Sequence, residues 1–410
     1  MFLSDPWNSK LLVVGNYAFL GGIDWLEMGP GPKFGMASLS TDTGHNSGQA
    51  DQSWADTEQR KKNWAYQPLE GSTILGKRLI QTYYGSRSTT YTYFSGCSTG
   101  GRQGLKQIQR DPDIFDGALI GAPSWDTENL MPWVSKLAAW NLPENGSHDI
   151  NDASLFIETA QKMYDDYTTE DGAFVHKGCE YGSEAEWGTY LLPIGPGTDN
   201  VRKNFDAQYE RYFMDYGPGW WVTSYDGGVV GDSRRHDRRS IPATSGQYDL
   251  GRFRDRGKII MYGRLADGVV PVRHTMLYYD GTVGRIGCVD GFFRYFQVPG
   301  MGHRRGTPDG VKAPWMIGGA GQAAQQPPYN VGRSVPLGLN DCRHDALLAL
   351  MDWVGNGNVP YELVASEFNF TDKTRPNIVV HRQRPICMYL HVAIWDERGS
   401  QDDASSWYCG

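Results

Sequence analysis

The sequence predicts an α/β protein: a mostly parallel sheet with helices on both faces, interrupted by a long insertion. Three observations predict it. Short apolar runs ending in glycine alternate with amphipathic helical spacings, the texture of βαβ units. That alternation stops near Trp125 and resumes with "GKIIMYG" at Gly257–Gly263. One predicted strand runs into "GCSTGG" (Gly96–Gly101), a serine set in small residues ahead of a helical spacing. The expected core is 1–125 with 249–410, and the expected insertion, read as a lid, is 126–248.

The elements follow in order. "KLLVVG" (Lys10–Gly15) and "GMASLSTD" (Gly35–Asp42) read as buried strands meeting turns. "STILGKRLIQTYYG" (Ser72–Gly85) has helical spacing and a terminal glycine. "YTYFSG" is a strand, and "GRQGLKQIQRDP" a helix that Pro112 stops. "GALIGAP" (Gly117–Pro123) is a strand of small residues. The insertion carries a helix at Ser154–Tyr164 but few convincing strands. "FFRYFQVPG" (Phe292–Gly300) is a later strand and "HDALLALMDWVGNG" (His344–Gly357) an amphipathic helix. "GGAGQAAQQPP" (Gly318–Pro328) reads as a flexible loop.

Composition removes several function classes. The chain has 410 residues and a net charge of −8, without the clustered Lys and Arg of a nucleic-acid surface. The basic stretch "SRRHDRRS" (Ser233–Ser240) is broken by an Asp and reads as a solvated loop. No apolar run approaches a membrane span. "MFLSDPWNSK" does not read as a signal peptide. Six cysteines, widely spaced, make no zinc pattern, and no metal or other cofactor is expected. Aromatic residues at 13% suit either a large core or a ring-lined ligand site. The oligomeric state is not readable.

Gly96-Cys97-Ser98-Thr99-Gly100 fits G-x-S-x-G. A strand before it and a helix after it are what a nucleophile elbow requires, which points to an α/β-hydrolase core. Small flanking residues allow the strained turn that exposes the serine oxygen. The Thr99 N–H, at the helix N-terminus, is then aimed at the developing oxyanion. A second donor is expected from the loop after the first strand, "GNYAFLGG", at Gly15 or Asn16. The serine needs a base, and the base an orienting acid. Asp267 in "RLADGVVP" and His303 in "PGMGHRRG" each follow a later predicted strand, in the hydrolase order Ser, acid, His.

These motifs resemble the fungal and bacterial tannase/feruloyl esterase family. "YFSGCSTGGRQGL", "FDGALIGAP", "VPGMGH", "RPIC", "STDTGH", "GSEAEWGTYL" and "ALMDWVGNG" are similar to its signatures, over nearly the whole chain. The resemblance implies a secreted α/β-hydrolase with a large lid that cleaves esters of gallic, ferulic or related phenolic acids. Its partner is then a small aromatic ester. The resemblance also implies Ser98 as nucleophile, His303 as general base and acid, and Asp267 as orienting carboxylate. Trp220 and Trp221 are candidates to stack on a phenolic ring or to fill the lid. His45 is a candidate to brace the site or act in it.

Departures from the family set further expectations. In the family, the cysteine before the serine is bonded to one directly after the histidine; here Arg304 follows His303. Cys97 is therefore free or paired with Cys179, Cys288 or Cys342. By the resemblance, Cys387 and Cys409 form a retained pair. Neither the family's calcium loop nor its leader is recognisable, which suits an intracellular relative or a truncated gene model. Two further readings stay open. The pocket could serve acyl transfer, lactonisation or cyclisation, or it could bind a small molecule without turnover.

Overall fold

The computed structural model describes residues 1–140, 153–190, 205, 207–303, 306–325, 339–369 and 379–410. Arg304 and the stretch 141–152 lie outside them.

Six parallel strands form one sheet: β1 (Lys10–Val14), β2 (Ala37–Leu39), β3 (Tyr91–Cys97), β4 (Gly117–Gly121), β5 (Lys258–Arg264) and β6 (Phe293–Val298). Their order is β2-β1-β3-β4-β5-β6. The chain steps outward from β1 to β2, then crosses back to β3. That reversal opens a crevice at the carboxyl ends of β1 and β3, where open α/β sheets seat ligands. The strands are apolar on both faces because both are covered. Phe94, Ile120, Ile259 and Phe293 pack into one layer; Leu12, Tyr93, Ile260 and Phe296 pack into the other. Each such buried side chain contributes roughly 1.5–3 kcal/mol relative to exposure.

The helix Thr99–Arg110 leaves β3 directly and lies close to the sheet. A Cβ on Gly15 would sit 2.6 Å from the Gly100 Cα, and one on Gly100 2.9 Å from the Asn16 oxygen. Only glycine at both positions lets the first helical turn rest on the loop after β1. The helix expected at Ser72–Gly85 is longer and runs Gln67–Tyr83. Pro68 lies within its first turn, where a missing N–H costs nothing. Asp345 caps the helix Ala346–Asn356, accepting from the N–H groups of Leu347 and Leu348, and Gly357 closes it at φ 78°.

The segment between β4 and β5 supplies none of the six strands. Its described parts include the helices Thr127–Trp140, Ala153–Tyr164, Glu184–Tyr190 and Gly228–Arg239. Its two ends meet: the Ser245 N–H donates to the Trp125 oxygen at 2.7 Å, and the Glu128 N–H to Thr244 Oγ1 at 3.0 Å. Arg102, buried on the helix behind Ser98, donates to the carbonyls of Ala65, Ala243 and Trp64. It thereby fixes the segment's return to the sheet.

Two loop expectations are corrected. "SRRHDRRS" ends the helix Gly228–Arg239, with Ser233 and Asp237 buried and Asp237 accepting from the Thr244 N–H. Its other face carries the charge to solvent, so a basic run conceals an amphipathic helix. The stretch from Gly318 to Ala323 is buried at the sheet's carboxyl end, held by Glu27 through the N–H of Gly321. No described helix is long and apolar enough to cross a membrane.

Candidate active site

β3 ends at Cys97 and the helix begins at Thr99, so Ser98 alone makes the turn. Its backbone sits at φ 59°, ψ −120°. A non-glycine residue there costs of order 1–3 kcal/mol and persists only where its surroundings enforce it. Here the Ser98 N–H donates to the Gly121 oxygen at 2.9 Å, and its carbonyl accepts from Arg102 and Ser124. Asp267 follows β5. Its Oδ1 accepts from the N–H groups of Val269 (2.9 Å) and Val270 (2.8 Å). Its Oδ2 lies 2.8 Å from His303 Nδ1, and His303 Nε2 lies 3.1 Å from Ser98 Oγ. All three side chains are buried. A carboxylate can only accept, so Nδ1 carries the hydrogen and Nε2 faces the serine as an acceptor. This line can withdraw a proton from Ser98 and hold the resulting imidazolium against Asp267.

Thr99 opens the helix, so its N–H has no carbonyl within the helix to bond. Gly15 and Asn16 are corrected as oxyanion donors. The Gly15 N–H donates to the Ser95 oxygen at 3.0 Å, and that of Asn16 to Gln103 Oε1 at 2.9 Å. Both are consumed in docking the loop onto β3 and its helix. The next N–H groups in that loop, of Tyr17 and Ala18, donate to no acceptor among the described residues, and both residues line the cavity beside Ser98.

That cavity has a volume of about 280 Å³. Ser98 and His303 open into it, and Phe19, Leu20, Trp64, Leu130, Met131, Val134, Val269 and Val270 make most of its wall. Gln49, Thr127 and Arg264 add polar atoms. Trp220 and Trp221 do not line it. They pack against Ala138, Ala207 and Val222, with the Arg211 guanidinium 4.8 Å from the Trp221 ring. His45 does not line it either. It stacks on Trp54 at 3.7 Å and its Nε2 bonds the Phe19 carbonyl, so it braces a wall residue. Among the described residues no group of three or more His, Cys, Asp or Glu side chains is placed to hold a metal ion.

A family model for tannase and feruloyl esterase matches residues 2–158 and 232–410. The chain belongs to the tannase and feruloyl esterase family. It is 28% identical to an uncharacterized esterase of Xanthomonas campestris, over 99% of this chain and 80% of that protein. It is 24% identical to feruloyl esterase B of Aspergillus niger, over 100% of this chain and 82% of that protein. The crystal structure of feruloyl esterase B from Aspergillus oryzae superposes with a TM-score of 0.83 at 20% identity, covering 99% of this chain and 86% of that one. The fold is that of α/β-hydrolase esterases, and this tannase-family chain is a carboxylic ester hydrolase acting on a small-molecule ester.

In this tannase-family esterase Cys97 is a free, buried thiol, as is Cys179, while Cys288 and Cys342 are free and exposed. The Arg264 guanidinium donates to Cys97 Sγ at 2.9 Å. Burial pushes the Cys97 thiol up to about 11, with Arg264 pulling the other way. Cys97 is therefore a protonated packing group, not a rival nucleophile. Cys387 and Cys409 are bridged, 22 residues apart in sequence, a closure that contributes about 3 kcal/mol. The expected thiol titration follows. Without reductant, iodoacetamide modifies Cys288 and Cys342 in the folded protein and reaches Cys97 and Cys179 only on unfolding. Cys387 and Cys409 stay unmodified in both states; rapid native labelling of Cys97 would contradict the arrangement.

Glu186 is not conspicuous in the sequence. Its Oε2 accepts from the N–H of Gly268 at 3.0 Å and of His303 at 2.8 Å. The signal for it was ambiguous: Ser183-x-x-Glu186 at a helix start reads as a capping box. The carboxylate instead turns away from its own helix toward the loops that follow β5 and β6.

Proposed function

We propose that this esterase cleaves esters of aromatic, phenolic-type acids through an acyl-enzyme on Ser98. His303 takes the serine proton as Oγ attacks the ester carbonyl, then gives it to the leaving alkoxide. Asp267 holds the imidazole in the reactive tautomer and balances its charge. Thr99 N–H and one N–H of the Tyr17–Ala18 pair receive the oxyanion. Water, deprotonated by His303, then releases the acid. The observation that carries this reading is the hydrogen-bonded line from Asp267 through His303 to Ser98, with Ser98 and His303 lining a mostly apolar cavity. Residues 126–248 are proposed as the inserted lid; Leu130, Met131 and Val134, which line the cavity, support this.

The wall chemistry sets a substrate order. A galloyl ring brings three hydroxyls, and each one buried against Phe19, Trp64 or Val270 without a partner costs about 1–3 kcal/mol. Methyl cinnamate and methyl ferulate are expected to exceed methyl gallate in kcat/KM by at least tenfold, the equivalent of about 1.4 kcal/mol. Steady-state rates on the three esters test this, and a preference for gallate would refute the apolar-acid assignment. No turnover of any of them would refute the phenolic class.

A further inference from the structure

Glu186 lies in the helix Glu184–Tyr190, between β4 and β5, yet it touches both loops that bear the proposed acid and base. One oxygen, Oε2, accepts from Gly268, next to Asp267, and from His303 itself. The flanking glycines fit the carboxylate closely. A Cβ on Gly302 would stand 2.7 Å from Glu186 Oε1, and one on Gly268 2.9 Å from the Glu186 Cβ. The helix itself is anchored by Trp187, buried, whose Nε1 donates to Ser183 Oγ at 3.1 Å. Burial and the nearby Asp267 carboxylate push the Glu186 carboxyl upward, against the two N–H bonds and the His303 ring. A carboxyl is kept in a place that disfavours its charge, and among the described residues the hydrogen bonds it accepts come from two backbone N–H groups.

We propose that Glu186 is a positioning residue: it acts as a shared backbone acceptor that holds the His303 loop in register with the Asp267 loop. This rests on the serine-triad reading above. The 2.8 Å Nδ1–Oδ2 contact spans loops after two different strands. An error of about 1 Å in such a contact can cost about 100-fold in rate. Because Glu186 comes from the segment over the cavity, the same contact ties that segment to the reacting groups.

The role makes an unusual demand on variants. Glu186→Gln keeps an oxygen at the same reach and loses the charge. Glu186→Asp keeps the charge and falls one methylene short of both N–H groups. The expected order is therefore Gln above Asp. The Gln variant should retain kcat within about threefold, and Asp and Ala should lose about 30- to 100-fold, with KM near wild type in all. Asp equal to or better than Gln would show that charge matters and overturn the proposal. Losses confined to KM, a Gln variant that does not fold, or wild-type kcat in the Ala variant would also overturn it. Hydrogen exchange on the unmodified enzyme guards against variants that fail to fold: the Gly268 and His303 amides should be protected together, and rapid exchange of either overturns the proposal. Ser98→Ala is assayed alongside. Turnover surviving in it sinks the triad reading; a dead Ser98→Ala with the Gln–Asp order reversed sinks only this inference.

Discussion

Ser98→Ala leaves the protein folded and removes ester turnover, with kcat falling on the order of 10⁴-fold or more. The fold should survive because Ala makes no new demand. The backbone is already held at φ 59° by a bond from the Ser98 N–H to the Gly121 oxygen and by bonds from the N–H groups of Arg102 and Ser124 to the Ser98 carbonyl, none involving the hydroxyl. Ser98 Oγ meets His303 and the cavity. Its removal thus deletes the group that would form the acyl bond and little packing. The thermal midpoint should stay within a few degrees, and labelling by a fluorophosphonate should vanish. Undiminished turnover in a correctly folded Ser98→Ala would end the acyl-enzyme mechanism, whatever the substrate.

Asp267→Asn is expected to cost nearly as much while changing no shape. The Asn oxygen can still accept from Val269 and Val270, as Oδ1 does now. Its NH₂ then faces His303 Nδ1 in place of Oδ2. Two donors cannot share a hydrogen bond, so the imidazole proton moves to Nε2. The ring then presents N–H to Ser98 Oγ and can no longer take its proton. A loss of about 10⁴-fold in kcat is expected, with KM little altered. Slow fluorophosphonate labelling of a protein with a native melting profile would be the matching observation. A mild effect would mean that His303 is oriented by something other than Asp267.

The sheet and the serine turn were legible because local rules govern them. Apolar runs of strand length ended in glycine, and Ser98 had small residues on both sides. Asp267 and His303 could be selected because each follows a strand, and a parallel sheet carries such loops to one edge. Which N–H groups remain free after the loop beyond β1 has docked is a different matter. Gly15 and Asn16 are consumed by Ser95 and Gln103, partners 80 and 87 residues distant in sequence. Trp220 and Trp221 stay open between two roles in the sequence for a related reason. An aromatic pair looks the same in sequence whether it meets a ligand or the Arg211 side chain and its neighbours. Glu186 was hidden because its partners lie 82 and 117 residues away, while its own helix start explained it locally.

The meeting of Trp125 with Ser245 has an evolutionary consequence. Chain leaves the sheet after β4 and returns before β5 through a doorway one hydrogen bond wide. Lys106 and Gln109, on the helix behind Ser98, bond the carbonyls of Thr244 and Ser245 and keep that doorway the same size. Whatever is spliced between those two points, short or long, leaves strand order and elbow where they were. The proposed lid is in this sense a cassette. Natural variation can exchange it wholesale to suit a new ester, and so can an engineer, provided any replacement brings its own oxygen to the amides of Gly268 and His303.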